Sequence, residues 1–404
     1  MLREEIVKVH GFKAAAAKAG IKYDNRLDLG LIVTDRPSVT SAVFTRNLVK
    51  AAPVLDSMAL LKDRKRFRAI VANSGNANAC TGPRGLEDCK TIRKEVASRI
   101  GCSPGEVLVC STGVIGAYLP MDKYIAGIDQ AAERLSNSGL GEVAQAILTT
   151  DTRPKTASVT ISADGYDICL AGMAKGAGMI APSMGPPQAT MLSFVCCNAA
   201  VSPRFWQSVL QDAVELSFNR ITVDGDMSTN DTVIAMASGR AENPVVDGSS
   251  VMATRLRDAM TKLLMDLAKQ IVSDGEGATK CVEVWVRGAK DSRDAELAAR
   301  AISESSLVKT AFFGQDPNWG RILAAAGRSG ADFDPNMASI SIGLCQIVDK
   351  GLPVGADAEA EAAKMMKQRE FSVVVDLSAG SSDFKILTCD LSDEYVHINA
   401  DYRT

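Results

Sequence analysis

Three segments carry more glycine and hydroxyl than a connection needs. They are Ser74-Gly75-Asn76-Ala77-Asn78, Cys110-Ser111-Thr112-Gly113-Val114-Ile115-Gly116, and the stretch from Lys175-Gly176-Ala177-Gly178 through Pro182, Pro186 and Pro187 to Ala189-Thr190. The first two follow apolar, β-branched runs that read as strands. A hydroxyl beside a glycine at a strand end can aim an oxygen and a backbone N–H at one point, the donor pair of an oxyanion hole. A plain turn is the other reading of such a pair. The third segment runs through a proline-broken loop into an apolar strand whose first residue is Thr190. A threonine can be activated by its own α-amine once the peptide bond before it is cut. The competing reading is that Thr190 is an ordinary β-branched strand residue.

Histidine is nearly absent. His10 and His397 lie near opposite ends of the chain, so a three-histidine zinc site or an H-E-x-x-H helix cannot be built, and any chemistry has to manage without imidazole. Gly176-Ala177-Gly178-Met179-Ile180-Ala181 fits G-x-G-x-x-A, but Pro182 follows where a phosphate-cradling helix must start. Asp224-Gly225-Asp226 opens like a calcium loop, yet Thr229 and Ala235 stand where Gly and Glu are needed. Gly275-Glu276-Gly277-Ala278-Thr279-Lys280 lacks the phosphate-loop spacing. No metal and no cofactor are expected.

Strands are predicted at Arg68–Asn73, Glu106–Cys110, Ala157–Ser162, Tyr166–Ala171, Thr190–Cys197, Cys281–Val286, Ala338–Leu344 and Phe371–Leu377. Tyr395–Asn399 also alternates like a strand. Helical patterns occupy Leu86–Ile100, Asp122–Leu135, Pro203–Phe218, Gly248–Val272, Asp294–Glu304 and Asp357–Lys367, the fourth with Met252, Leu256, Met260, Leu263, Leu267 and Ile271 along one face. Hairpin-like pairs mixed with helices favour a layered α/β or α+β sandwich. The loop Ser273–Thr279 is the candidate start of a C-terminal lobe, about 275–404.

At 404 residues the length predicts about two to three domains, and 46% hydrophobic with 23% charged residues is an ordinary globular balance. A net charge of −3 gives no basic excess to hold nucleic acid. The acidic start Met1-Leu2-Arg3-Glu4-Glu5 and the lack of a long apolar run predict no membrane contact and a cytoplasmic protein. Ten cysteines without a C-x-x-C pair read as buried small hydrophobes.

With these residues the sequence resembles the ornithine acetyltransferase, or glutamate N-acetyltransferase, family of arginine biosynthesis. Landmarks run from Phe44-Thr45-Arg46-Asn47 and Asn73–Asn78 through Ser111–Gly116, Thr149-Thr150-Asp151-Thr152 and Lys175–Ile180. Beyond these come Ala189-Thr190-Met191-Leu192, Asp224–Asp231, Asp316-Pro317-Asn318-Trp319-Gly320-Arg321 and Asn399–Thr404. Gly185-Pro186-Pro187-Gln188 lengthens the loop before the cut relative to many members.

The resemblance implies a two-lobed, self-processing fold with a threonine nucleophile, cut between Ala189 and Thr190 into an α-chain 1–189 and a β-chain 190–404 that assemble as a heterotetramer. It implies that Thr190 takes the acetyl group of N2-acetylornithine and passes it to glutamate, with Thr112 and Gly113 as the oxyanion hole. Thr152, Lys175, Thr190, Glu276, Asn399 and Thr404 are the implied substrate contacts, and some members also accept acetyl-CoA. With water as acceptor the same nucleophile would make an amidohydrolase or aminopeptidase. An uncut chain would favour a non-catalytic small-molecule-binding protein.

Overall fold

The computed structural model describes residues 2–181, the backbone of 184–185, and 191–401. Ala189, Thr190 and Thr404 lie outside the described residues. Two compact units divide the chain: the first runs to Asn219 and takes up again over Met227–Ile271, and the second holds Arg220–Asp226 and the chain from Val272 onward.

The first unit is built on one large sheet. Its strands are β1 (Phe12–Ala17), β2 (Leu29–Thr45), β3 (Arg66–Asn73), β4 (Val107–Ser111), β5 (Lys155–Ala163), β6 (Tyr166–Lys175), β7 (Leu192–Cys197) and β8 (Thr232–Ala237). In space they run β5-β6-β7-β8-β2-β3-β4, with β1 also paired to β2. Neighbouring residues of one strand enter different cores: Leu31, Val71 and Val109 belong to one cluster, and Ile32, Ile70 and Leu108 to another. Since successive side chains of a strand point to opposite faces, this sheet is covered on both. That is why its strands read as continuous apolar runs rather than alternating ones.

Helices α1 (Ala52–Asp63), α2 (Gly82–Ile100), α3 (Met121–Glu133), α4 (Leu140–Ala146) and α5 (Pro203–Glu215) supply the cover, and α6 (Val251–Ser273) closes the unit's sequence. The stripe Met252, Leu256, Met260, Leu263, Leu267 and Ile271 is buried throughout, each large side chain being worth about 1.5–3 kcal/mol of burial.

In the second unit β9 (Cys281–Ala289), β10 (Ser339–Ile342), β11 (Cys345–Asp349), β12 (Glu370–Asp376) and β13 (Ser382–Cys389) run β11-β10-β12-β9-β13. Here burial does alternate: Val282, Val284 and Val286 are buried against α7 (Ser292–Ser303), α8 (Ser306–Phe313), α9 (Trp319–Gly327) and α10 (Ala356–Met366). Glu283 and Trp285, between those valines, instead meet Lys385. One sheet face is packed and the other is polar.

Two expectations are corrected. Tyr395–Asn399 is not a strand but the middle of helix α11 (Asp393–Asp401). Asp393 and Glu394 occupy the first turn, where acidic side chains suit the helix dipole, and a five-residue alternation is too short to outweigh that. The cysteines are not uniformly buried: Cys89, Cys110, Cys196, Cys197, Cys281 and Cys389 are, whereas Cys80 is exposed. It sits in a loop at φ 57°.

Candidate active site

Strands β3 and β4 are parallel, with Asn73 opposite Ser111, so the two glycine-hydroxyl segments leave the sheet side by side. They are then stitched together. Thr112 N–H donates to Asn73 O at 3.0 Å, and Asn73 Nδ2 donates to Asn76 O at 2.8 Å. Asn230 Nδ2, reaching in from the Asp224–Asp231 segment, donates to Ala77 O at 2.6 Å and Ser111 O at 2.8 Å. Gly113 sits at φ 134°, and a Cβ built there would fall 2.3 Å from Gly75 C and 2.5 Å from Asn76 N. Only glycine allows that approach. Among the described residues no acceptor takes the Gly113 N–H.

The Thr112 hydroxyl meets a lysine. Lys175 ends β6, is 7% exposed, and donates from Nζ to Thr112 Oγ1 at 3.2 Å. It lies opposite Leu192 in the antiparallel β6–β7 ladder, which places it beside the strand that follows Thr190. Behind it stands Asp151, whose side chain is fully buried with that of Lys155. Asp151 accepts from Lys155 Nζ at 2.5 Å, from Gly176 N at 2.7 Å and from Thr149 N at 3.0 Å. Burial works to raise its pKa, but the charges of Lys155 and Lys175 and these hydrogen bonds prevail and bring it to about 2. Thr152, next in the chain, is exposed.

A second carboxyl, Asp231, precedes β8. Thr232, next to it, donates its N–H to Met191 O at 2.6 Å, and β8 runs parallel to β7. Burial pushes the Asp231 carboxyl well up, against the pull of Ser228, Lys175, Thr45 and the Met191 amide.

Within the second unit Glu276 and Asn399 are brought together. Glu276 is only 8% exposed and accepts from Asn399 Nδ2 at 2.7 Å, and the same amide group donates to Tyr395 O at 3.0 Å. The loop after Glu276 is clamped at three residues. Asp390 accepts from the N–H groups of Thr279 and Lys280, both at 2.8 Å, and Ser392 Oγ donates to Gly277 O at 2.6 Å. Tyr395 OH donates to Asp224 Oδ2 at 3.3 Å.

Thr112, Gly113 and Lys175 are thus grouped in one unit, and Glu276 with Asn399 in the other. Asp151, Lys155, Asn230 and Asp231 received no role from sequence, although three of the four stand inside the segments quoted above. The available signal was chemical: Asp151 and Lys155 are spaced to pair, in a stretch that leads into a strand with a second lysine at its neighbour's end.

A hydroxyl contacted by a buried ammonium and a backbone N–H, adjacent in sequence at the end of β4, are the kind of donor pair that acyl transfer uses, and a layered α/β acyltransferase is the class that this fold and site fit. The ArgJ family model matches residues 13–404, and the chain belongs to that family. It is 51% identical over 398 residues to the arginine biosynthesis bifunctional protein ArgJ of Geobacter sulfurreducens, covering 98% of this chain and 100% of that one. To the protein of the same name from Caldanaerobacter subterraneus it is 47% identical, covering 98% and 97%. The crystal structure of the Bacillus halodurans arginine biosynthesis bifunctional protein ArgJ superposes with a TM-score of 0.51 at 42% identity, covering 53% of this chain and 100% of that one.

Proposed function

We propose that this protein transfers the acetyl group of N2-acetylornithine to the α-amine of glutamate through an acetyl ester on Thr190, in arginine biosynthesis. The observation that carries the reading is the Lys175–Thr112 hydrogen bond beside the Gly113 amide, in a chain that belongs to the ArgJ family over nearly its whole length.

Thr190 Oγ first attacks the Ala189 carbonyl, and hydrolysis of the resulting ester leaves chains 1–189 and 190–404, the latter carrying the candidate lobe from about 275. The fraction of this chain matched by the whole Bacillus halodurans chain, 53%, is the size of the piece 190–404. The freed α-amine of Thr190, with an ordinary pKa of about 7.7–8.0, serves as general base. It takes the Oγ proton as Oγ attacks the acetyl carbonyl, and hands it to the departing α-nitrogen of ornithine. Thr112 Oγ and Gly113 N–H hold the oxyanion. Glutamate's α-amine then attacks the ester, its proton returns to Thr190 Oγ by way of the same amine, and N-acetylglutamate leaves. No metal or cofactor takes part in these steps.

Thr152, Lys175, Glu276, Asn399 and Thr404 are the proposed substrate contacts, Glu276 and the terminal carboxylate suiting the side-chain ammonium of ornithine. Acetyl-CoA as a second donor fits the word bifunctional in the relatives' names. Two copies of each chain in a cytoplasmic heterotetramer complete the proposal.

Intact mass of the purified protein tests the cut, and its mass after N2-acetylornithine alone tests the ester. Two chains, the larger gaining one acetyl group that glutamate then removes, is the expected result. An uncut chain, or acetyl release at the same rate with and without glutamate, overturns it.

A further inference from the structure

Lys175 is assigned above, with the other contacts, to the substrate. Its geometry says something more specific. A lysine ammonium has three donors and no acceptor, so in the 3.2 Å contact with Thr112 Oγ1 the hydroxyl oxygen is the acceptor. The single Thr112 O–H is then directed away from Lys175. A hydroxyl whose oxygen accepts from a cation is also a stronger donor through its own hydrogen. Both residues are buried, where such a charge acts at low effective dielectric.

A buried ammonium needs something to hold it. Asp151 does this twice: it accepts the N–H of Gly176, the residue after Lys175, at 2.7 Å, and it supplies a counter-charge. Lys155 donates to the same Asp151 oxygen, Oδ1, at 2.5 Å, and Lys155 is itself opposite Ala174 in the β5–β6 ladder. The end of β6 is therefore pinned by the same carboxylate that compensates the charge it carries.

We propose that Lys175 is a positioning residue for the oxyanion hole, orienting and polarising the Thr112 hydroxyl, and that the buried Asp151–Lys155 pair holds Lys175 in that place. This deepens the acetyl-transfer reading and rests on it. It parts from the role of a carboxylate-binding lysine in one respect: self-cleavage also passes through a tetrahedral oxyanion but involves no substrate carboxylate. A lysine that only binds substrate is irrelevant to the cut, whereas one that sets Thr112 is needed for both steps.

The test follows the rate of Ala189–Thr190 cleavage in freshly refolded precursor, and single-turnover acetylation of cleaved protein, for wild type, Lys175→Met, Thr112→Val and the double variant. Thr112→Val is expected to slow both steps by about 10²–10³-fold. Lys175→Met is expected to slow both by at least about tenfold, whatever its substrate contact adds to KM, and to add almost nothing to the slowing of cleavage in the Thr112→Val background, since residues acting as a unit are non-additive. Asp151→Asn leaves Lys155 buried without its partner and endangers folding. The double variant Asp151→Asn, Lys155→Met avoids stranding Lys155 but still strips Lys175 of its counter-charge, and is expected to fold with a lowered unfolding temperature while keeping the rate deficit. Normal cleavage in Lys175→Met with a raised KM, or full multiplication of the two single effects in the double variant, overturns the assignment. Failure of the wild type to form an acetyl ester overturns the acetyl-transfer reading instead, and with it this one.

Discussion

Replacing Gly277 by alanine is expected to weaken binding of N2-acetylornithine without touching self-cleavage. Gly277 has φ 67°, a left-handed conformation that costs an alanine about 1–2 kcal/mol. The larger effect is contact. A Cβ there would lie 2.6 Å from both Ser392 Oγ and Tyr395 N and 3.1 Å from Glu394 C. The serine can rotate away, but the other two atoms are backbone of α11, so the helix itself must retreat by several tenths of an ångström. Asn399 is one turn further along that helix and reaches Glu276 at 2.7 Å. Moving it by that much takes the hydrogen bond to the edge of the useful range, about 3.2 Å, or past it. A hydrogen bond to a carboxylate contributes about 1.5–3 kcal/mol, which at 1.4 kcal/mol per tenfold predicts a rise in KM of about 10- to 100-fold. The nucleophile, its loop and the oxyanion donors are all elsewhere in the sequence, so the cut should proceed. The assay is KM and kcat for N2-acetylornithine on protein shown by gel to be fully cleaved and by thermal unfolding to be folded. A cleaved, folded Gly277→Ala enzyme with wild-type KM would refute both the proposed role of the Glu276–Asn399 pair and the coupling of that pair to Gly277.

Thr190→Ala should remain a single chain without transferase activity, and Thr190→Ser should keep part of both functions because it retains the hydroxyl; mass spectrometry and acetyl transfer check both. Gly113→Ala forces a Cβ into the Gly75–Asn76 backbone, and overpacking of this kind costs about 1–3 kcal/mol. The expected result is a lowered unfolding temperature with cleavage slowed at least as much as in Thr112→Val, and normal cleavage would remove Gly113 from the oxyanion hole. Asp151 has a folded pKa of about 2 against an ordinary 3.8, so the native state holds its proton less tightly than the unfolded chain. Its stabilisation is complete above about pH 4 and is lost as pH falls toward 2, an effect of about 2 kcal/mol. Unfolding free energies measured over that range should therefore fall less steeply in Asp151→Asn, Lys155→Met than in wild type.

Strands and helices were legible where burial leaves a period. The α6 stripe steps by three and four because one face of the helix is buried, and β9 alternates because only one face of its sheet is packed. The first unit is harder. Phe12–Ala17 is an alanine run that favours helix by propensity, yet it pairs as a strand with β2 through Phe12 opposite Thr34 to Ala17 opposite Leu29. Tertiary pairing overrides the local preference, and nothing in six residues announces that. In β2, Asp35-Arg36-Pro37 looks like an interruption, but the strand continues across it because its register with β3 shifts between Val33 and Ser38. Proline is tolerated where a ladder is interrupted in this way.

The site divides along a similar line. Thr112-Gly113 could be singled out because its function needs two donors adjacent in sequence, and adjacency is what a sequence displays directly. The environment of those donors is set by residues distant in the chain: Lys175 lies 63 positions from Thr112, and Asn230 ties Ser111 to Ala77 from 119 positions away. Glu276 is the clearest case. A glutamate in Gly275-Glu276-Gly277 looks solvent-exposed, since glycines on both sides usually mark an open loop. Here the glycines do the opposite. Gly275 packs with Val223 and Cys389 within 3.3 Å of its missing Cβ, Gly277 packs on α11, and the absence of side chains is what lets the loop be buried and its carboxylate be held by Asn399. A glycine that permits a turn and one that permits close packing are the same letter, and only the packing partners tell them apart.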